Sequence, residues 1–107
     1  MALRKLQNFI GGEYRGAADG RTSTLVNPST GEGFAEAPLS GQADVDAAMQ
    51  AAVRGFEQWR EATPSERSRA LLRIADKLEE RAEELVRLET ENTGKPFQLT
   101  KIGRAHV

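Results

Sequence analysis

The sequence predicts an α+β chain, with short strands first and amphipathic helices after them. Three observations carry this. Before Ser40, β-branched and aromatic residues stand between glycine and proline turns. Near Ser40 the apolar period changes from two to 3.6. From Thr63 to Thr93 one apolar stripe recurs at helical spacing, with Glu, Arg, Lys and Asp filling the positions between.

Leu6, Phe9 and Ile10 precede Gly11-Gly12, and Glu13-Tyr14-Arg15 follow, so two extended pieces flank a glycine turn and predict a β-hairpin. Residues 16–21, GAADGR, read as a loop, and residues 22–26 as a strand. Asn27-Pro28-Ser29-Thr30-Gly31 ends that strand, because Pro28 fixes its own torsion and holds Asn27 extended. A weaker strand over residues 33–39 runs through Phe34, Ala35 and Ala37 to Pro38.

Val45, Ala48, Met49, Ala52, Phe56 and Trp59 then share one helical face, with Asp44 and Asp46 near the positive end of the helix and Arg54 and Arg60 toward the other. Glu61-Ala62 is a connection short enough to predict that this helix pairs with the next. The second helix starts where Thr63 can cap, Pro64 suits the first helical position and Glu66 completes a capping box. Its stripe is Leu71, Ile74, Ala75, Leu78, Ala82, Leu85 and Leu88; a break is expected near Arg81, and Gly94 before Pro96 is placed to end it.

A chain of 107 residues fits one small domain, and at that size only about 60–68% of the unfolded surface is buried. The net charge is −1 and the two signs interleave, so neither a nucleic-acid stripe nor a basic membrane face is expected. Cysteine is absent, which removes disulfides, thiolate metal sites and cysteine nucleophiles together. The start, MALRKLQNFIGG, lacks a signal-peptide core, and no stretch approaches the roughly 20 apolar residues of a membrane span. A soluble, cytoplasmic location is the expectation.

Catalytic constellations are missing from the motifs. Neither GxGxxG nor GxxxxGK[ST] occurs, and the Gly11-Gly12 and Gly31-x-Gly33 pairs read as turns. The sole histidine, His106, has no partner pattern, and Glu79-Glu80, Glu83-Glu84, Glu89 and Glu91 fall opposite the leucine stripe on a solvated face. Lys95, after Gly94, is a charge that a helix-ending loop can present. No catalytic and no cofactor-binding residue is assigned.

Taken together the motifs are more specific. NFIGGEY (8–14), VNPSTGE (26–32), ADVDAAMQAA (43–52) with FEQW (56–59), PSERSRALL (64–72) and ETENTGKP (89–96) resemble, in order and spacing, the beginning of aldehyde dehydrogenases. The likeness covers residues 6–100 and is greatest to the aminobutyraldehyde and betaine-aldehyde branch. It implies that residues 1–100 are the N-terminal part of the cofactor-binding domain of a doubly wound α/β enzyme. Such an enzyme oxidises an aldehyde to the carboxylic acid with NAD or NADP, through a cysteine thioester and hydride transfer to nicotinamide. The partners implied are the remainder of the enzyme chain and the aldehyde, in a homodimer or homotetramer.

None of the family's catalytic residues falls in these positions, in keeping with the absence of cysteine, so the isolated chain is expected to be inactive. Several members of the family hold a monovalent cation, K+ or Na+, with carbonyls just before the N-P turn and a side chain just before T-G-K. The matching positions here are Leu25, Val26 and Asn92, where Asn92 replaces the carboxylate of some relatives. On its own residue type Asn92 also reads as a helix C-terminal residue. Residues 101–107 depart from the family pattern; Ile102 to Val107 read as one frame of a common sequencing adapter, which points to a truncated gene product. The alternative from another class is a non-catalytic helical-hairpin module that binds through its two apolar faces.

Overall fold

A computed structural model describes residues 3–98; His106 and the 101–107 tail lie outside the described residues. The chain forms two compact units, one joining residues up to Val26 with Gly33–Ala62, the other joining Asn27–Glu32 with the residues from Thr63 on. Among the described residues secondary structure follows the expected α+β order, with five short strands before three helices.

In the first unit β1 (Arg4–Lys5), β5 (Gly33–Pro38) and β4 (Thr22–Val26) form a sheet in the order β1-β5-β4, β1 parallel and β4 antiparallel to the central strand. β5 is paired on both edges, and its Ala35 is fully buried. The short parallel strand β1 is not visible in the sequence pattern, since two polar residues, Arg4 and Lys5, carry no alternation. β2 (Asn8–Ile10) and β3 (Glu13–Arg15) make the expected hairpin. Gly11 and Gly12 have φ of 62° and 84°, the pair of positive values that a two-residue turn of the primed kind requires. Phe9 and Tyr14 face each other across it with ring centroids 4.9 Å apart.

The first helix, α1 (Gln42–Trp59), does not dock by the face its bulky residues define. Val45, Met49, Phe56 and Trp59 are exposed, whereas Asp44 is buried and Ala47, Ala48 and Ala51 are half-buried. The reason is close approach: Ala51 Cβ lies 3.8 Å from where a side chain on Gly11 would begin, so the helix meets the hairpin turn through its small residues.

In the second unit α2 (Pro64–Glu80) begins with the expected capping box. Thr63 Oγ1 accepts from the Glu66 N–H at 3.1 Å, and Glu66 Oε2 accepts from the Thr63 N–H at 2.8 Å. The break falls at Arg81, whose φ of −104° and ψ of 19° leave the helical region, and α3 (Ala82–Thr93) follows. The buried apolar residues of α3 are Ala82, which the expected stripe contains, and Val86, which it does not, while Leu85 is exposed. Leu71, Ile74 and Leu78 of α2 are exposed as well.

Candidate functional site

Two of the sequence motifs meet in the second unit. The Asn27–Gly31 turn is closed by its own residues: Asn27 Oδ1 accepts from the Ser29 N–H at 2.9 Å, and the Asn27 carbonyl accepts from the Gly31 N–H at 2.8 Å. The Asn27 N–H donates to the Glu32 carbonyl at 2.9 Å, so the loop starts and ends at one place. Against this turn sits the end of α3. Gly94 has φ of 75° and donates its N–H to the Thr90 carbonyl at 2.9 Å, a left-handed helix end. A Cβ on Gly94 would stand 2.9 Å from Pro28 Cγ. The N-P turn and the T-G-K loop are therefore a matched pair.

Around that contact the polar groups are local. Thr93 Oγ1 donates to the Glu89 carbonyl at 2.8 Å and accepts from the Lys95 N–H at 3.2 Å, while Lys95 Nζ stands 3.8 Å from Glu89 Oε1. Lys95 is thus turned back onto its own helix end. Thr90 Oγ1 is buried without a hydrogen-bond partner.

Of the three positions assigned to a cation, Leu25 and Val26 close β4 in the first unit, and the ladder to β5 shifts register between them. Asn92 lies in the last turn of α3 in the second unit and is exposed. Among the described residues no three His, Cys, Asp or Glu side chains form a metal-holding group.

Two acidic residues in the first unit have structural work that the sequence pattern did not reveal. Asp44 accepts the Ala18 N–H at 2.9 Å with Oδ1 and the Gly41 N–H at 2.9 Å with Oδ2. It therefore caps α1 and pins the 16–21 loop at once; the reciprocal half of a capping box is impossible because Gly41 has no side chain. The available signal was the acidic residue three positions after a glycine cap, which gives the cap but not the loop. Asp19 accepts the Arg21 N–H at 3.0 Å and its Nε at 2.6 Å, and that backbone hydrogen bond, then the guanidinium, hold its carboxyl below the ordinary value of 3.8.

A concavity of about 430 Å³ opens beside this loop, with Lys5, Gln7, Arg21 and Glu36 among its lining residues. It is open to solvent and carries both signs of charge, and Arg21 is already engaged by Asp19. None of the positive-φ glycines opens a helix, as a phosphate cradle after a strand requires: Gly11 and Gly12 turn the hairpin, Gly20 precedes β4, Gly31 lies between β4 and β5, and Gly94 ends α3. At the start of α1 the Gly41 N–H is taken by Asp44, and at the start of α2 Pro64 has no N–H to offer.

The fold and the paired turns define the class. Residues 14–105 match the family model described as the aldehyde dehydrogenase family, and the chain belongs to that family. Malonate-semialdehyde dehydrogenase 2 of Geobacillus thermodenitrificans (strain NG80-2) is 39% identical to it over 95 residues, which are 89% of this chain and 20% of that protein. A crystal structure of PnpE in complex with nicotinamide adenine dinucleotide superposes with a TM-score of 0.85 at 39% identity, covering 89% of this chain and 20% of that one. A point mutant of betaine aldehyde dehydrogenase from Staphylococcus aureus, solved with NAD+, gives a TM-score of 0.83 at 34% identity over 92% of this chain and 20% of that one. The chain spans about 20% of the length of the relatives it matches. Among the described residues no helix is long and apolar enough to cross a membrane.

Proposed function

We propose that this chain is a scaffold segment of an NAD(P)-dependent aldehyde dehydrogenase that oxidises an aldehyde to the carboxylic acid, and that alone it does not catalyse the reaction. One observation carries the reading: family identity runs through nearly the whole chain, while the chain corresponds to about 20% of its relatives and has no cysteine. A thiolate nucleophile must then come from other residues of the enzyme. The NAD-bound state of the structural relatives supports a nicotinamide cofactor for the enzyme, bound by residues outside this segment. Residues 1–100 would belong to the cofactor-binding domain, in a homo-oligomeric enzyme of the cytoplasm. The purified 107-residue chain should give no aldehyde-dependent absorbance at the NADH band with betaine aldehyde, an aminobutyraldehyde or malonate semialdehyde; turnover above the enzyme-free control would overturn the assignment.

The finer reading favours amino- and betaine aldehydes, on the likeness of the five motifs and on a betaine aldehyde dehydrogenase among the structural relatives. Comparing kcat/KM of an enzyme carrying this segment for betaine aldehyde and for malonate semialdehyde decides it. For the cation, the Leu25 and Val26 carbonyls and the Asn92 amide oxygen are hard ligands suited to K+ or Na+. In that enzyme, replacing KCl or NaCl by choline chloride at equal ionic strength should lower the melting temperature, and Asn92→Ala should abolish the difference. A melting temperature indifferent to the cation in both proteins would reject the site.

A further inference from the structure

Asp19–Gly20 is the only Asp-Gly step in the chain, and Asn-Gly does not occur. Such a step carries chemistry of its own: the main-chain nitrogen that follows can attack the side-chain carbonyl carbon, and glycine sets no side chain against that approach. Among the described residues no atom beyond its chain neighbours lies within 4 Å of where a Cβ on Gly20 would stand. Crowding therefore does not oppose ring closure. Hydrogen bonds do. The Gly20 N–H is held on the Ala17 carbonyl at 2.9 Å, so the nitrogen that would attack is fixed in the turn by its own proton. The Asp19 carboxylate is engaged on Arg21, Oδ1 accepting the N–H at 3.0 Å and Oδ2 the Nε–H at 2.6 Å. Both ends of the turn are anchored outside it. Ala18 donates its N–H to Asp44 Oδ1 at 2.9 Å, and the Arg21 carbonyl accepts the Leu39 N–H at 2.9 Å.

We propose that Asp19–Gly20 is a spontaneous isomerisation site which the Arg21 contact holds shut, so that isoaspartate forms only from the opened turn. There the Gly20 nitrogen bonds to Asp19 Cγ, the nitrogen gives up its proton and the carboxyl hydroxyl departs, the two leaving together as water. Water then opens the five-membered imide. Breaking the bond from the nitrogen to Cγ restores aspartate; breaking the bond to the main-chain carbonyl leaves the chain running through the side chain, as isoaspartate. One water is released and one taken up, so the change needs no oxidant, no other reactant and no surface outside the chain.

The Arg21 contacts oppose this step in two ways. They fix the carbon to be attacked, and the same N–H, then the guanidinium, hold the carboxyl below its ordinary value, in the ionised form from which hydroxyl does not depart. The product adds one carbon to the main chain between the two anchors, and so works against both the Ala18–Asp44 and the Leu39–Arg21 hydrogen bonds.

Ageing the full 107-residue chain at physiological temperature and pH tests this, with isoaspartate counted by enzymatic methylation and placed by peptide fragmentation. Because a turn held at several points is open in a minority of molecules, the folded chain should isomerise at Asp19 about tenfold more slowly than the same chain in denaturing urea. Arg21→Ala removes an exposed ion pair and should speed the folded chain about threefold, with faster amide exchange at Gly20; circular dichroism shows that the helices are kept. Asp19→Glu should abolish the signal, since its ring would be six-membered and closes slowly. Equal rates in the folded and denatured chains, no isoaspartate at Asp19 in either, or a signal that survives Asp19→Glu would each overturn the proposal. So would an Arg21→Ala chain that ages like the parent, or one that ages faster with Gly20 exchange unchanged.

Discussion

At the scale of single residues, Asp44 ties together two separate parts of the first unit. Its two carboxylate oxygens receive the Gly41 N–H that starts α1 and the Ala18 N–H of a loop 26 positions away in sequence. Asp44→Ala strands both N–H groups in a partly buried place; hydrogen bonds to a charged acceptor contribute roughly 1.5–3 kcal/mol each net of exchange with water, and the part exposure of these two groups lets water replace some of it. A loss of about 2–3 kcal/mol is therefore expected on urea unfolding, with faster amide exchange at Ala18 as well as at Gly41. Asp44→Asn keeps one acceptor and should recover part of it. Fast exchange confined to Gly41 would mean that the loop is held by something else. The cap is legible in the sequence, because an acidic residue at the third helical position is a local signal. The loop contact is not, since no periodicity relates Ala18 to Asp44.

At the scale of elements, helix ends were more legible than helix faces. Thr63, Pro64 and Glu66 state the start of α2, Arg81 its break and Gly94 the end of α3, because caps and breakers act within a few residues of chain. The faces are set by what packs on them. α1 approaches the hairpin through alanines that the sequence pattern ranks below Val45 and Phe56, and α3 buries Val86 where the stripe pointed to Leu85. The meeting of the N-P turn with the α3 end is also tertiary, and it makes Gly94 doubly constrained. A left-handed conformation costs a non-glycine residue roughly 1–2 kcal/mol, and a Cβ there would also press on Pro28 Cγ at 2.9 Å. Gly94→Ala should lower stability by about 2 kcal/mol or more. In a Pro28→Ala background, which removes Cγ, the same change should cost measurably less, the signature of contact in a double-mutant cycle. Equal costs in the two backgrounds would show that conformation alone is responsible.

At the scale of the molecule, the five motifs identified the family before any contact was known, because their order and spacing are properties of the chain and not of its packing. What they could not supply is how little of the apolar surface is enclosed. Among the described residues the buried apolar side chains are Ile10, Ala35, Ala82 and Val86, two of them alanines, and no large side chain is fully buried. Leu71, Leu72, Ile74 and Leu78 remain exposed along α2, and Val45, Met49, Phe56 and Trp59 along α1. Soluble monomers rarely leave contiguous apolar patches of more than a few hundred Å² uncovered, and a chain spanning about 20% of its relatives is consistent with faces made to receive more protein. The expected behaviour of the isolated chain is helical circular dichroism together with bound, fluorescent anilinonaphthalene sulfonate, and a broad thermal transition in place of a sharp one. Leu71→Glu with Leu78→Glu should reduce the dye signal while leaving the helix signal, since both residues are exposed and their removal opens no cavity. A chain that binds no dye and unfolds in one sharp transition would instead have to bury the α2 stripe against itself, and its packing would then differ from the arrangement of α2 described above.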